Sequence, residues 1–166
     1  MMVDPAQFDV AFRGKRMGKI KTAQQIVRKR RLHAVGPDDT VRKACRIMTN
    51  RGIGAMPVID ENNQLLGMIS ERDVVRRCIG ENRRVAVTPV RDAMTLNPIF
   101  AEPDDTLFVC VAKMMQDDIR HLPVVRGGEV IGCVSIREVV SEISYVTMMN
   151  MGMIDEGLPR VETELA

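Results

Sequence analysis

The sequence Pro-Asp-Asp-Thr occurs at residues 37–40 and again 66 residues later, at residues 103–106. Other identical pairs follow in the same order, at this offset or one residue less: Met48 with Met114, Pro57 with Pro123, Gly67 with Gly132, and Ser70 with Ser135. Matches that keep order, spacing and chemistry over so long a stretch indicate an internal duplication. The chain of 166 residues therefore holds two copies of one unit, each of roughly 55 residues and marginal in size for folding alone.

Both copies show the same local pattern. Thr40 and Thr106 each follow two Asp residues and are typical helix N-caps. Apolar residues then recur at helical spacing, which predicts a helix buried on one side. Predicted strands lie at 32–35, 56–59, 65–69, 98–101, 122–125 and 130–134, with hairpin turns at 60–63 and 126–128. A second helix is predicted to begin at Ser70 and at Ser135.

Charge is unevenly distributed along the chain. Residues 1–31 hold nine Lys and Arg against two Asp, whereas the remainder holds 15 basic and 20 acidic residues. We divide the chain into a basic, partly flexible N-terminal arm (1–25), a first copy (26–80), a linker (81–93), a second copy (94–145) and a C-terminal tail (146–166). Such an arm is suited to contact a phosphate backbone, an anionic membrane or the acidic surface of the protein itself.

Composition excludes several classes of protein. The four cysteines lie far apart without a C-x-x-C motif or a His at metal spacing, which predicts buried thiols, no metal site and a reducing compartment. Neither His33 nor His121 pairs with Cys or Ser in a nucleophile pattern, and no glycine-rich phosphate loop is present. We expect a protein that is not an enzyme, requires no cofactor, does not insert into a membrane and lies in the cytoplasm.

Six stretches carry a resemblance to a known family. They are residues 35–41, 53–58 and 67–75 in the first copy and residues 90–98, 119–125 and 132–138 in the second. This ordered set, present twice, is similar to a tandem pair of cystathionine-β-synthase (CBS) domains of the stand-alone regulatory type. The resemblance implies an α+β fold in which two βαββα repeats pack with pseudo-twofold symmetry, their small sheets flanked by helices.

The resemblance also implies a ligand and partners. CBS pairs bind adenine nucleotides in clefts between the repeats, and we expect AMP foremost, with ATP or NAD as further possibilities. Members of the family assemble further into homodimers and use the ligand to control a partner protein, which the sequence does not identify.

The motif Gly67-x-x-Ser70-x-x-Asp73 has two interpretations. As local structure, Ser70 caps a helix and Asp73 completes a capping box. By resemblance, Asp73 accepts hydrogen bonds from both ribose hydroxyls, and Gly67 allows the backbone to approach the nucleoside. Ser135 and Glu138 occupy the corresponding positions of the second copy. Because Glu is one methylene longer, we expect unequal clefts, with the Asp73 cleft the more competent.

Further candidate residues follow from the resemblance. Arg120 and His121 are assigned to the phosphate, with His121 a donor when protonated, and Arg72 is a lesser phosphate candidate; exposed polarity beside buried strands is the alternative. Apolar contacts to the adenine are assigned to Ile53, Met56, Pro57 and Ile69 in the first copy and to Pro123 in the second. Core packing explains these apolar residues equally well.

The sequence therefore favours a non-catalytic regulatory module that binds an adenine nucleotide between its repeats and signals to a partner protein. Two alternatives remain open at this point. One is a nucleic-acid-binding regulator that uses the basic arm. The other is a structural dimer without ligand, in which the methionines of the tail form an apolar contact surface.

Overall fold

A computed structural model of the chain describes residues 20–28 and 30–153. Its helices are α1 (Ala23–Val27), α2 (Val41–Arg51), α3 (Glu71–Val74), α4 (Leu107–Gln116) and α5 (Ile136–Asn150), with a π-helical turn at Val75–Ile79 and a 3-10 turn at Val90–Asp92. Its strands are β1 (Ala55–Ile59), β2 (Leu65–Ser70), β3 (Thr95–Leu96), β4 (His121–Arg126) and β5 (Glu129–Ser135). The predicted α+β class, with small sheets flanked by helices, is confirmed.

The predicted N-caps are confirmed at the start of α2 and α4. The Thr40 hydroxyl accepts a hydrogen bond from the Lys43 amide at 3.2 Å, and the Thr106 hydroxyl accepts one from the Val109 amide at 3.4 Å. Each bond satisfies one of the amides that the first turn of a helix leaves without a partner. Helix α2 ends at Gly52, whose φ of 59° is the left-handed conformation that glycine adopts without steric cost.

Two antiparallel hairpins form the sheets. Strands β1 and β2 pair in one sheet and β4 and β5 in the other, as the sequence predicts. The predicted strands at 32–35 and 98–101 are each reduced to one parallel bridge, from Val35 to Val58 and from Ala101 to Val124. Val35 still bonds to both neighbours of Val58, because its amide donates to Pro57 O and its carbonyl accepts from Ile59 N.

Helix α1 packs on the second copy, although in sequence it spans the predicted start of the first copy at residue 26. Its residues Ala23 and Val27 are buried in the core formed by α4, α5, β4 and β5. The Ala23 amide donates to Asp105 O at 2.9 Å, and Thr22 bridges to Thr106. The end of the predicted arm is therefore part of the fold, because its apolar face is buried; residues 1–19 lie outside the described part of the chain.

The linker makes the reciprocal contact with the first copy. Val90, Ala93 and Met94 are buried in the core formed by α2, β1 and β2. The Val90 amide donates to Asp39 O at 2.7 Å, and β3 adds to the edge of β2. The segment before each copy thus completes the core of the other copy, as pseudo-twofold symmetry requires. Residues up to Leu96 pack with the first copy, so the predicted boundary at residue 94 falls inside this contact.

The tips of the two hairpins also join. The Val130 amide donates to Asn63 O at 3.0 Å, and Asn63 Nδ2 donates to Val130 O at 2.9 Å. These bonds join the two sheets, and a cleft lies between the copies where α3 and α5 begin. Among the described residues, no helix combines the length and apolarity that crossing a membrane would demand.

Candidate functional site

A cleft of about 1950 Å³ lies between the two copies. Eight of the residues singled out in the sequence line it: Ile53, Ser70, Arg72, Asp73, Arg120, His121, Ser135 and Glu138. The other five, Met56, Pro57, Gly67, Ile69 and Pro123, lie in strands and are absent from its lining. Met56 and Ile69 are fully buried in the first core, so core packing accounts for their apolar character.

Gly67 faces protein at close range. A Cβ atom on Gly67 would stand 2.7 Å from the Thr95 carbonyl oxygen and 2.8 Å from Met94 Sδ. At the equivalent Gly132, an added Cβ atom would stand 2.4 Å from the Cβ of Val27. The two glycines therefore admit the segment that each copy receives from the other, which is a different reason for glycine from the one the resemblance implies.

Asp73 lies at the start of α3, where both interpretations of the motif meet. Asp73 Oδ2 accepts hydrogen bonds from the Ser70 amide at 2.9 Å and from the Ser70 hydroxyl. The Asp73 amide donates to Ser70 Oγ at 3.2 Å, so the predicted capping box is present. The outer oxygen, Oδ1, accepts a longer hydrogen bond of 3.3 Å from the Thr95 hydroxyl and lies 3.6 Å from Arg77 Nη1.

Glu138 is held in the same way at the start of α5. Glu138 Oε2 accepts hydrogen bonds from the Ser135 amide at 2.7 Å and the Ser135 hydroxyl at 2.8 Å. Its outer oxygen, Oε1, forms an ion pair with Arg30. Both carboxylates therefore use one oxygen as a cap and turn the other away from it, and the extra methylene of Glu138 does not change this arrangement.

The two copies touch at His121. This residue pairs with Ser135 in the second sheet, and its ring reaches Gly54 of the first copy. A Cβ atom on Gly54 would stand 3.3 Å from His121 Cε1 and 3.4 Å from Glu71 Oε2. Burial lowers the pKa of His121 to about 4, and the charges of Arg120 and Arg137 act in the same direction. The imidazole is therefore neutral near pH 7, not the protonated donor considered from the sequence.

The buried His121 makes the stability of the protein depend on pH. Its folded-state pKa lies below the ordinary value of 6.5, so the unfolded chain binds the proton more readily as the pH falls from 6.5 toward 4. We expect His121 to reduce the free energy of unfolding by about 2 kcal/mol between pH 7 and pH 5. Urea unfolding at pH 7 and at pH 5 measures this effect. Between these pH values, the free energy of unfolding should fall by about 2 kcal/mol less in His121→Gln than in the unmodified protein. Equal falls in the two proteins would contradict the assignment.

Basic side chains outnumber acidic ones along the cleft, by nine to six. Arg72 reaches across the copies and donates to the carboxylate and the carbonyl of Asp118, each at 3.2 Å. Five other arginines line the cleft and form no ion pair within the described part of the chain: Arg31, Arg51, Arg76, Arg120 and Arg137. The cleft is therefore suited to an anionic ligand.

Three residues at this site were not identified from the sequence. Thr95 and Arg77 contact the Asp73 carboxylate, and Arg30 contacts Glu138. A signal existed for Arg77, which follows Asp73 by four residues on the same helical face. Thr95 and Arg30 belong to the segments that pack on the opposite copy, which we call the exchanged segments. Their approach to the two carboxylates therefore depends on the packing of one copy against the other.

The cleft offers few groups for metal binding. Within residues 20–28 and 30–153, no group of three or more His, Cys, Asp and Glu side chains is positioned to hold a metal ion. The thiols are free, and burial raises the pKa of Cys110 to about 11 and that of Cys133 to about 12. Both thiols are therefore protonated and unreactive at neutral pH.

Fold and cleft together define two equivalent α+β units, and comparison with known families identifies them. The family model for the CBS domain matches residues 23–80 and again residues 90–145. The chain therefore belongs to the CBS domain family and carries two CBS domains in tandem. CBS domain pairs are regulatory modules as a class.

Known relatives place the chain within this family. The CBS domain-containing protein CBSCBSPB1 of Arabidopsis thaliana is 37% identical over 97 residues, which are 58% of this chain and 18% of that protein. The chain thus spans less than a fifth of that relative's length. A solved CBS-domain protein of Burkholderia ambifaria is 32% identical with a TM-score of 0.69, and the match covers 74% of this chain and 93% of that one. CBSX2, solved in complex with AMP, is 25% identical with a TM-score of 0.62, over 77% and 94% of the two chains.

Proposed function

We propose that this CBS pair is a non-catalytic regulatory module that binds an adenine nucleotide in its cleft and signals to a partner protein. AMP is the ligand we favour, with ATP and NAD as larger alternatives. The observation that carries the proposal is the position of Asp73, a largely buried carboxylate whose outer oxygen has only long contacts inside a cleft lined by both copies.

The chemistry of Asp73 suits a ribose. Its Oδ2 is fixed by the Ser70 cap, so the carboxylate does not need to be ordered when a ligand binds. Its Oδ1 has a hydrogen bond of 3.3 Å to Thr95 and an ion-pair distance of 3.6 Å to Arg77, and vicinal hydroxyls would make shorter bonds. Each hydrogen bond to a charged group contributes about 1.5–3 kcal/mol.

We assign the phosphate of the ligand to Arg120. Arg120 lines the cleft, and its carbonyl oxygen accepts a hydrogen bond of 2.8 Å from the Ile136 amide at the start of α5. This bond fixes the backbone from which the guanidinium extends, and guanidinium groups bind phosphate oxygens in a bidentate manner. The binding of AMP by CBSX2, which shares this fold at 25% identity, supports the choice of ligand.

We further propose that the module acts as a homodimer in the cytoplasm. Val75 and Val140 occupy equivalent positions of the two copies and are 60% and 49% exposed, so a second copy of the chain would cover both. Four free thiols are typical of a reducing compartment.

The described part of the basic segment 1–31 does not favour nucleic acid. Lys21 pairs with Glu142 at 3.0 Å, and Arg30 pairs with Glu138. These two basic residues therefore contact the acidic surface of the protein itself, one of the three partners that the charge distribution allows. The structural dimer without ligand would be favoured by an empty cleft in solution, which the following experiment examines.

Isothermal titration calorimetry tests the proposal on the unmodified protein. We expect AMP to bind, and 2′-deoxy-AMP to bind at least tenfold more weakly, because one hydrogen bond to Asp73 is lost. The affinities of ADP, ATP and NAD, titrated in the same buffer, show how large a phosphate-bearing group the cleft accepts. Absence of heat from all of these ligands, or equal affinity for ribose and deoxyribose forms, would refute the proposal.

A further inference from the structure

We infer that Arg30 closes the Glu138 end of the cleft to ribose, so that the chain presents one ribose site instead of two. The inference rests on the proposed function, because it concerns how many nucleotides the cleft accepts. Arg30 acts as a specificity-determining residue: its guanidinium occupies the carboxylate oxygen that a second ribose would need.

The two carboxylates are otherwise equivalent. Asp73 and Glu138 are both the third residue of their helix, and each accepts two hydrogen bonds from the capping serine. Their side chains are 15% and 13% exposed, so burial does not distinguish them either. The length of the acid and its accessibility therefore leave the two ends of the cleft equally suited to a ribose.

The partners of the outer oxygens make the difference. At Asp73, the nearest donors are the neutral Thr95 hydroxyl and Arg77. Arg77 Nη1 donates to the carbonyl oxygens of Ala93, at 2.9 Å, and of Met94, and it lies 3.6 Å from Asp73 Oδ1 without a hydrogen bond to it. At Glu138, Arg30 contacts the outer oxygen directly. At the Asp73 end of the cleft, a ribose hydroxyl would displace the neutral Thr95 hydroxyl. At the Glu138 end, it would have to displace the guanidinium of Arg30.

The fold holds Arg30 in this position. The Arg30 amide donates to Val27 O at 2.9 Å, directly after α1, and Val27 is buried against Gly132. One helical turn beyond Glu138, Glu142 pairs with Lys21, which precedes α1. Two ion pairs to α5 and an apolar face buried against β5 therefore hold this segment on the second copy. A tethered guanidinium competes with a free ligand at a high effective concentration.

The variant Arg30→Gln tests the inference, with Arg28→Gln as its control. Arg28 is exposed, belongs to the same segment and forms no ion pair within the described residues, so both variants change the net charge equally. The readout is the number of AMP molecules bound per chain, measured by calorimetry at matched ionic strength. We expect one AMP for the unmodified protein and for Arg28→Gln, and two for Arg30→Gln, because second-site affinity rises about tenfold or more.

The double variant Arg30→Gln/Glu138→Gln locates the additional site. Gln keeps the capping box, so α5 still begins normally, but the carboxylate charge is removed. We expect the second AMP to be lost again in this variant. A second site that persists in the double variant would show that it lies elsewhere and would overturn the inference.

Two results separate this inference from the proposed function. If the unmodified protein binds no AMP, the proposed function fails; if Arg30→Gln binds no more AMP than the unmodified protein, the inference fails. If the unmodified protein already binds two AMP molecules, the inference is refuted, although the proposed function stands. Equal gains in Arg30→Gln and Arg28→Gln would also refute it, because a general change in charge would then explain the effect.

Discussion

Replacing Asp73 with Asn is expected to lower the affinity for AMP about 10- to 100-fold. Asn retains an oxygen that accepts from the Ser70 amide, so the start of α3 stays capped. The lost element is the negative charge on the outer oxygen, which strengthens both hydrogen bonds to the ribose. Calorimetry with AMP measures the change directly, and circular dichroism verifies that the fold is retained.

Glu138→Gln is the matched control for Asp73→Asn. It removes a charge at the equivalent position and keeps the capping box with Ser135. Because Arg30 already occupies the Glu138 carboxylate, we expect the affinity of the first AMP to change less than threefold. Equal losses in the two variants would show that AMP responds to the charge of the cleft as a whole, and the assignment of the ribose to Asp73 would be wrong.

Replacing Gly67 with Ala is expected to lower the free energy of unfolding by about 2–3 kcal/mol. The new methyl group would stand 2.7 Å from the carbonyl oxygen of Thr95, well inside van der Waals contact. A backbone atom cannot rotate away as a side chain can, so β3 must shift from the edge of β2. Urea unfolding monitored by circular dichroism measures the loss.

Gly36→Ala is the control for Gly67→Ala. The nearest atom to a Cβ on Gly36 is Asp39 Oδ2 at 3.8 Å, which is ordinary contact. The same chemical change is therefore expected to alter the free energy of unfolding by about 0.5 kcal/mol or less. If Gly67→Ala is as well tolerated as Gly36→Ala but weakens AMP binding, the glycine serves the nucleoside, as the family resemblance implies, and not the packing of β3.

Local signals in the sequence predicted much of the fold. The caps at Thr40 and Thr106, the hairpins and the capping boxes at Ser70 and Ser135 all depend on residues within a few positions of one another. The duplication predicted that these elements occur twice. These caps and turns depend on residues that are close in sequence, so they can be recognised without knowing the tertiary packing.

The exchange of segments could not be predicted in this way. From the sequence, Ala23 is assigned to a charged arm and Val27 to the first copy, because seven excess positive charges dominate residues 1–31 and no local signal links either residue to the second copy. Their burial depends on a surface formed more than 80 residues later, near Asp105 and Gly132. The ion pair between Arg30 and Glu138 follows from the same packing, so the expectation of unequal clefts from the sequence rests on the length of Glu138 alone.

The exchange also has a consequence for how the chain acquires its structure during synthesis. The first core lacks Val90 and Met94 until the ribosome has added them, and α1 is made early but must wait for β5 before Val27 meets Gly132. Contacts of this sequence separation fold slowly, because loop closure precedes the gain from burial. Neither half can become a finished folding unit on its own, and the apolar face of α1 is exposed to aggregation and proteolysis until residues up to Gly132 have been added.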